Sequence, residues 1–232
     1  MVDTYFDIKP YLNAIARDQL ILTANNRLRN HMLRAYGQWQ ASNNIQVWPT
    51  PRIYSLSQWL ESRWEMLQRR AYAPAAQRII SNLQRQTLWE KIIGESSLAQ
   101  ALLQAEPLAQ AADSALRNLE LWQLTEEDVR SADPILNIQS NSYCWLTWLG
   151  DFRARLSKLG FITQETANQI LINAFKQGEL TQEATLYLTG FDDIPPQHQD
   201  LINSACHELV TIKPLDNASH LQRTELNNTE QE

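Results

Sequence analysis

The sequence is poor in cysteine and has no long apolar run, and each shortage excludes a class of protein. The only cysteines among its 232 residues, Cys144 and Cys206, provide neither a disulfide framework nor a metal-ligand spacing. The longest apolar stretches fall far short of the roughly 20 residues that a membrane span requires. The acidic start has no basic region ahead of an apolar one, as a secretory signal would. We therefore expect a cytoplasmic protein without a membrane anchor.

Glycine is also scarce, and none of the six glycines opens a phosphate-binding loop. Such a loop needs closely spaced glycines followed by Lys and then Ser or Thr, and the chain has no Gly-Lys pair. Acidic residues do not suggest a nuclease either, because Asp7 and Lys9 form an Asp-x-Lys triplet with no strand-borne acid ahead of it. Asp192 and Asp193 follow a predicted strand, but two acids alone are more typical of helix capping. The sequence predicts no catalytic residue, metal site or cofactor.

Charge is distributed unevenly along the chain. The net charge of −6 combines an excess of six basic residues in 1–93 with an excess of twelve acidic residues in 94–232. Nine arginines lie between Arg27 and Arg85, with only Glu61 and Glu65 as acidic residues in that stretch. The basic part is able to face phosphates while the acidic part faces a partner. Solvated helix faces are an equally good interpretation of the arginines.

The hydrophobic pattern alternates between strands and helices at both ends of the chain and is helical in the middle. Asn25 and Asn26 are predicted to open a helix, and Ser55 and Thr163 to cap two others. Predicted strands cover 20–23, 45–48, 184–189 and 207–212. This order predicts an α/β fold with a mostly parallel sheet.

The predicted domains follow from that order. Residues 1–73 and 179–215 form the two halves of one sheet, and 74–178 form an all-helical insertion without strands. The polar residues 216–232 have too few apolar side chains to order themselves and are predicted to be a disordered tail or a linker. Four of the eight tryptophans, Trp59, Trp64, Trp145 and Trp148, lie in register with Leu and Phe and are predicted to be core residues. Trp48 is a candidate surface platform for bases.

Three segments, 22–32, 52–60 and 189–197, resemble motifs of superfamily 1 helicases of the UvrD/RecB type. Their order and spacing are most similar to the N-terminal part of AddB-like inactivated helicases, a family of DNA repair exonucleases. The resemblance implies a P-loop-helicase-like sheet without its P-loop. Thr189 and Gly190 stand where active helicases have the Asp and Glu of the magnesium motif, and Asp192 and Asp193 complete the degenerate segment.

The resemblance implies a catalytically inactive scaffold domain of a longer protein of DNA repair and recombination. The expected partners are single-stranded or forked DNA, bound weakly, the remainder of the polypeptide with its nuclease domain, and a helicase subunit. Residues at the matching DNA-contacting positions are able to donate hydrogen bonds to phosphates; they are Thr23, Asn25, Asn26, Arg27, Arg29, Arg52 and Ser55. The alternative is a protein-docking platform with no direct DNA contact. A single exposed face formed by the arginines at 27, 29, 52, 63 and 78 would favour DNA.

Overall fold

The computed structural model describes residues 6–97, 105–132 and 140–212. The chain divides into two compact units. The first contains 1–59, 183–192 and 206–232, and the second contains 60–182 and 193–205. The second unit therefore begins at Leu60 rather than at residue 74, and it includes a stretch near the end of the chain. The predicted tail, 216–232, lies outside the described residues.

Six strands and nine α-helices occur in the described residues, together with two short 3-10 helices, Lys9–Tyr11 and Ala73–Ala76. The strands are β1 (Leu20–Thr23), β2 (Ile53–Ser55), β3 (Arg78–Ile79), β4 (Phe161–Ile162), β5 (Glu183–Thr189) and β6 (Cys206–Ile212). The helices are α1 (Leu12–Ala16), α2 (Asn26–Ser42), α3 (Leu56–Arg69), α4 (Asn82–Glu95), α5 (Ala105–Leu121), α6 (Glu126–Ala132), α7 (Asn141–Lys158), α8 (Gln164–Lys176) and α9 (Pro196–Ala205). No helix in these ranges combines the length and apolarity needed to cross a membrane.

The first unit is built on a four-stranded sheet of order β2-β1-β5-β6, and all its strand pairs are parallel. The predicted α/β class with a parallel sheet is confirmed. Leu20, Ile21 and Leu22 of β1 are all buried because β1 is central, and each such side chain contributes roughly 1.5–3 kcal/mol. Helix α2 covers one part of this core with apolar residues at helical spacing, among them Met32 and Tyr36.

The prediction of a strand at 45–48 was wrong. This stretch is a loop, Val47 is 89% exposed, and the second strand lies further along at 53–55. Pro49 and Pro51 remove two backbone donors from this region, so a sheet ladder begins only after them. Trp48 is half-buried against the core of the first unit rather than presented as a free platform.

The second unit is mainly helical, with a core in which the rings of Trp89 and Phe152 stack with centroids 4.3 Å apart. The prediction that 74–178 contains no strand was wrong, because β3 and β4 pair in parallel there. Each has two residues, too few to show an alternating pattern. Gly160, with φ of +72°, follows α7 and turns the chain into β4, where Ile162 accepts a hydrogen bond from the Ile80 N–H at 2.9 Å.

A buried ion cluster joins the helices of the second unit. The guanidinium of Arg85, 2% exposed, donates through Nε to Asp113 of α5 and through Nη1 to Glu165 of α8, the latter at 2.8 Å. Glu120 lies close by and accepts from the Thr163 hydroxyl at 3.1 Å. Burial, and then the charge of Glu165, raise the pKa of Glu120. Thr163 also caps α8 as predicted, since its Oγ1 accepts from the Thr166 N–H.

Candidate nucleic-acid interface

The strand order places a switch point between β1 and β5. The chain leaves β1 toward β2 on one side, and later returns to β5 on the other side. In open parallel sheets, ligands bind outside the carboxyl ends of the strands at such a point. Thr23 ends β1 and Thr189 ends β5, and the two residues are in register. The polar motif residues at 23–27, 55 and 189–190 therefore meet at one edge, which we call the switch-point edge.

Thr23 organises this edge but is itself buried. Its Oγ1 donates to the carbonyl oxygens of Asn25, at 3.0 Å, and Tyr54, at 3.3 Å. The first bond shapes the turn into α2, and the second ties the end of β1 to β2. The Thr23 hydroxyl is thus a positioning group for the turn, and it is fully buried.

Helix α2 begins at the switch-point edge with a well-formed cap. Asn25 has an extended backbone, and its Oδ1 accepts from the Leu28 N–H at 2.9 Å. The Arg29 N–H donates to the Asn25 carbonyl at 3.2 Å. Because a helix leaves its first N–H groups without helical partners, those of Asn26 and Arg27 face outward for an external acceptor. Asn25, Asn26 and Arg27 are all exposed.

A second helix start lies at the same edge. Ser55 ends β2 and is fully buried, and its Oγ accepts from the Gln58 N–H at 3.3 Å. The exposed Ser57 places its hydroxyl 3.1 Å from Ser55 Oγ. Ser55 is therefore the predicted cap of α3, and Ser57 is the neighbouring hydroxyl that solvent reaches. Sequence reasoning did not single out Ser57, although it lies in the same motif.

Thr189 and Gly190 are both packed against residues from other parts of the first unit. The Tyr11 hydroxyl lies 2.6 Å from Thr189 Oγ1 in a buried contact, and burial raises the pKa of Tyr11. Gly190 has φ of +74°, and a Cβ at this position would overlap Leu28 Cδ2. Neither position has room or a free group for a metal-binding carboxylate. Tyr11 and Leu28 were missed from the sequence because no local pattern links them to β5.

The three predicted arginines of the first unit, Arg27, Arg29 and Arg52, do not form one face. Arg27 is exposed at the switch-point edge, whereas the half-buried Arg29 donates through Nε to the Ile53 carbonyl at 3.1 Å. Arg52 precedes β2 and lies at the opposite, amino edge of the sheet. There it pairs with both oxygens of Glu183, at 3.1 and 2.6 Å, and donates to the Asp18 carbonyl. These hydrogen bonds to Glu183 raise the pKa of Arg52.

The remaining predicted acids and the comparisons with known proteins add little to this site. Asp192 is exposed two residues beyond Gly190, and Asp193 is exposed in the second unit. Within the described ranges, no group of three or more His, Cys, Asp or Glu side chains is arranged to hold a metal ion.

No family model matches the chain, and no curated protein matches it.

Proposed function

We propose that this chain is a helicase-like scaffold domain of a longer cytoplasmic DNA repair nuclease. In this proposal it has no ATPase or nuclease activity of its own. It holds single-stranded or forked DNA by the phosphate backbone, for a nuclease domain elsewhere on the polypeptide, and a helicase subunit is a further partner.

The observation that carries the proposal is the chemistry of the switch-point edge. Two helix starts lie there, and their exposed residues include Asn25, Asn26, Arg27 and Ser57. Segments 23–27, 55–58 and 189–190 contain no acidic residue. Neutral donors with one cation suit a phosphate, which helix N-termini bind readily. Such contacts position a nucleic acid without reading its bases.

The packing at 189 and 190 supports the absence of catalysis. A magnesium motif needs carboxylates at the end of this strand to hold the metal ion and position water. Here the Thr189 hydroxyl is hydrogen-bonded to the Tyr11 hydroxyl, and the Leu28 side chain fills the space beside Gly190. Both features are part of the packed first unit, so a single substitution to an acid would not restore the motif.

The proposed binding is weak. Arg27 is the exposed cation that we place on phosphate, while Arg29 and Arg52 are committed to internal contacts. For single-stranded DNA, log affinity falls with log salt by roughly 0.7 for each phosphate neutralised. We therefore expect Arg27→Ala to make the salt dependence shallower by about that amount.

The test is fluorescence-anisotropy binding of labelled single-stranded and forked DNA over a salt series, with Arg17→Ala as the matched control. Arg17 is also exposed, but it lies between α1 and β1, at the amino edge of the sheet. Loss of affinity in Arg27→Ala, with Arg17→Ala close to the parent, would support the proposal. Equal losses would indicate unspecific attraction rather than a site.

Arg29 and Arg52 are hydrogen-bonded within the first unit. This favours a second candidate, a protein-docking platform with no DNA contact. The same titration separates the two candidates. If the folded chain fails to bind either DNA at low salt, the DNA proposal is refuted and the docking platform is the better account.

A further inference from the structure

The two edges of the four-stranded sheet are very different. At one edge, β2 has three residues and is preceded by Pro49 and Pro51. At the other, β6 has seven residues and contains no proline and no lysine. Proteins commonly block edge strands by making them short or by placing proline or lysine in them, because exposed backbone groups pair with other strands. By strand length and by proline content β2 is a protected edge, whereas β6 has one exposed charge, Glu208, as its protection.

The side chains of β6 are also incompletely covered. Between 207 and 212 no residue is buried: Leu209, Val210 and Ile212 are half-buried, and the rest are exposed. Successive residues of a strand point to opposite faces, so Leu209 and Val210 show that both faces are only partly covered. Within the first unit, β5 is the described element that lies closely along β6. Parallel sheets are normally covered on both faces, so within the part of the chain that the structure describes β6 is an incompletely covered edge strand.

We propose that β6 pairs with a further β-strand, supplied as an extended segment of a partner polypeptide. The segment has neutral, β-branched residues beside 209–212 and a basic residue beside Glu208. This proposal does not depend on DNA binding, because β6 is the edge strand farthest from β2 in the sheet.

The chemistry of β6 selects this kind of partner. A row of outward N–H and C=O groups is satisfied by an extended backbone, which adds to a sheet by regular hydrogen bonds. Residues 209–212 carry no charge, so uncharged side chains with high strand propensity fit beside them. Glu208 is exposed, and one of its oxygens accepts from the Thr185 hydroxyl at 3.0 Å. A cross-strand cation beside this carboxylate is favourable.

A second copy of this chain fits β6 less well. Two β6 strands related by a two-fold axis run antiparallel, with one residue facing its own equivalent at the axis. With Leu209 at the axis, Glu208 would face Val210 of the second copy. With Val210 at the axis, Glu208 would face Ile212. Either arrangement sets a carboxylate against an apolar side chain, with no cation to balance it.

The test uses the full chain and a synthetic peptide, Lys-Val-Arg-Val-Thr-Val-Thr, followed by two-dimensional NMR of the amide groups. In the free chain we expect alternate amides of β6 to exchange quickly with solvent, because they face outward. The peptide should shift β6 amides and leave β2 amides unchanged. An analogue that is N-methylated at alternate residues, which removes half of its donors, should bind at least tenfold more weakly.

A chain variant tests the basic residue. Glu208→Gln keeps an oxygen for Thr185 and should weaken binding of this peptide about threefold, while a peptide with norvaline in place of Arg should bind parent and variant equally. Three results would overturn the proposal. The first is slow exchange of all β6 amides in the monomeric chain, and the second is peptide binding that N-methylation does not weaken. The third is a dimer in light scattering that the peptide dissociates, because the second copy would then be the occupant of β6.

Discussion

Replacement of Gly190 by alanine tests the packing at the switch-point edge. Two separate costs are expected, because Gly190 has a left-handed backbone and because its missing side chain leaves room for Leu28. A residue with a Cβ loses roughly 1–2 kcal/mol in the left-handed region. The new methyl group must also displace Leu28 Cδ2. Since Leu28 is half-buried rather than locked in a core, it is able to move, at about 0.5–1.5 kcal/mol for a strained rotamer.

The sum is a loss of about 1.5–3.5 kcal/mol in the free energy of unfolding. Urea denaturation, followed by circular dichroism and tryptophan fluorescence, measures it. The internal control is a double-mutant cycle with Leu28→Ala. The double variant should be more stable, by about 1 kcal/mol, than the sum of the two single-variant losses predicts. Gly178→Ala is an external control, because Gly178 has φ of +78° and no neighbour within 4 Å of a Cβ. If Gly190→Ala costs no more than Gly178→Ala, and the cycle shows no coupling, the role given to Leu28 is wrong.

Two further predictions concern the buried ion cluster of the second unit, and urea denaturation also measures both. Arg85→Met should cost about 3–5 kcal/mol, because it leaves Glu165 buried without its cation; the control Arg69→Met removes an exposed pair with Glu65 and should cost less than about 0.5 kcal/mol. Equal losses would contradict the importance of burial. Burial raises the pKa of Glu120, so its contribution to stability is complete below an unfolded pKa of about 4.3 and is lost as pH rises through the folded value. Glu120→Gln, which still accepts from Thr163, should therefore raise the urea midpoint at pH 8 and have little effect near pH 4; an increase of the same size at both pH values would refute this.

The sequence predicted those parts of the fold that depend on local patterns. β1 is a continuous apolar run ending in Thr23, and β5 and β6 contain apolar and β-branched runs at 184–189 and 209–212. The helices at Asn26 and Gln164 begin after residues whose side chains cap them. These features are encoded within a few residues. The second strand was misplaced because Ile45–Trp48 has strand-like composition, whereas the adjacent prolines and the packing of Trp48 determine the outcome.

The candidate site was predictable only in part. The polar residues after β1 and β5 converge because parallel strands end at one edge, and the alternation of strands and helices predicts that. The role of Arg52 was not predictable, since its partner Glu183 is 131 positions away. The motif 52–60 spans two edges of the sheet: Arg52 precedes β2, and Ser55 ends it. No sequence pattern identifies Tyr11 or Leu28 as the residues that pack against Thr189 and Gly190.

The distance along the chain between the paired strands has a consequence for synthesis on the ribosome. Tyr11 and Thr189, which are hydrogen-bonded across the first unit, are 178 positions apart. Until β5 emerges, the N-terminal region has only β1 and β2, and a two-stranded sheet is marginally stable in water. Residues 60–182 emerge earlier, although their unit is completed only when 193–205 follow β5. The first unit is completed last, by β6, so we expect a period in which β1 is an exposed apolar edge. Chaperones that bind nascent chains have their natural target there, at Leu20–Thr23.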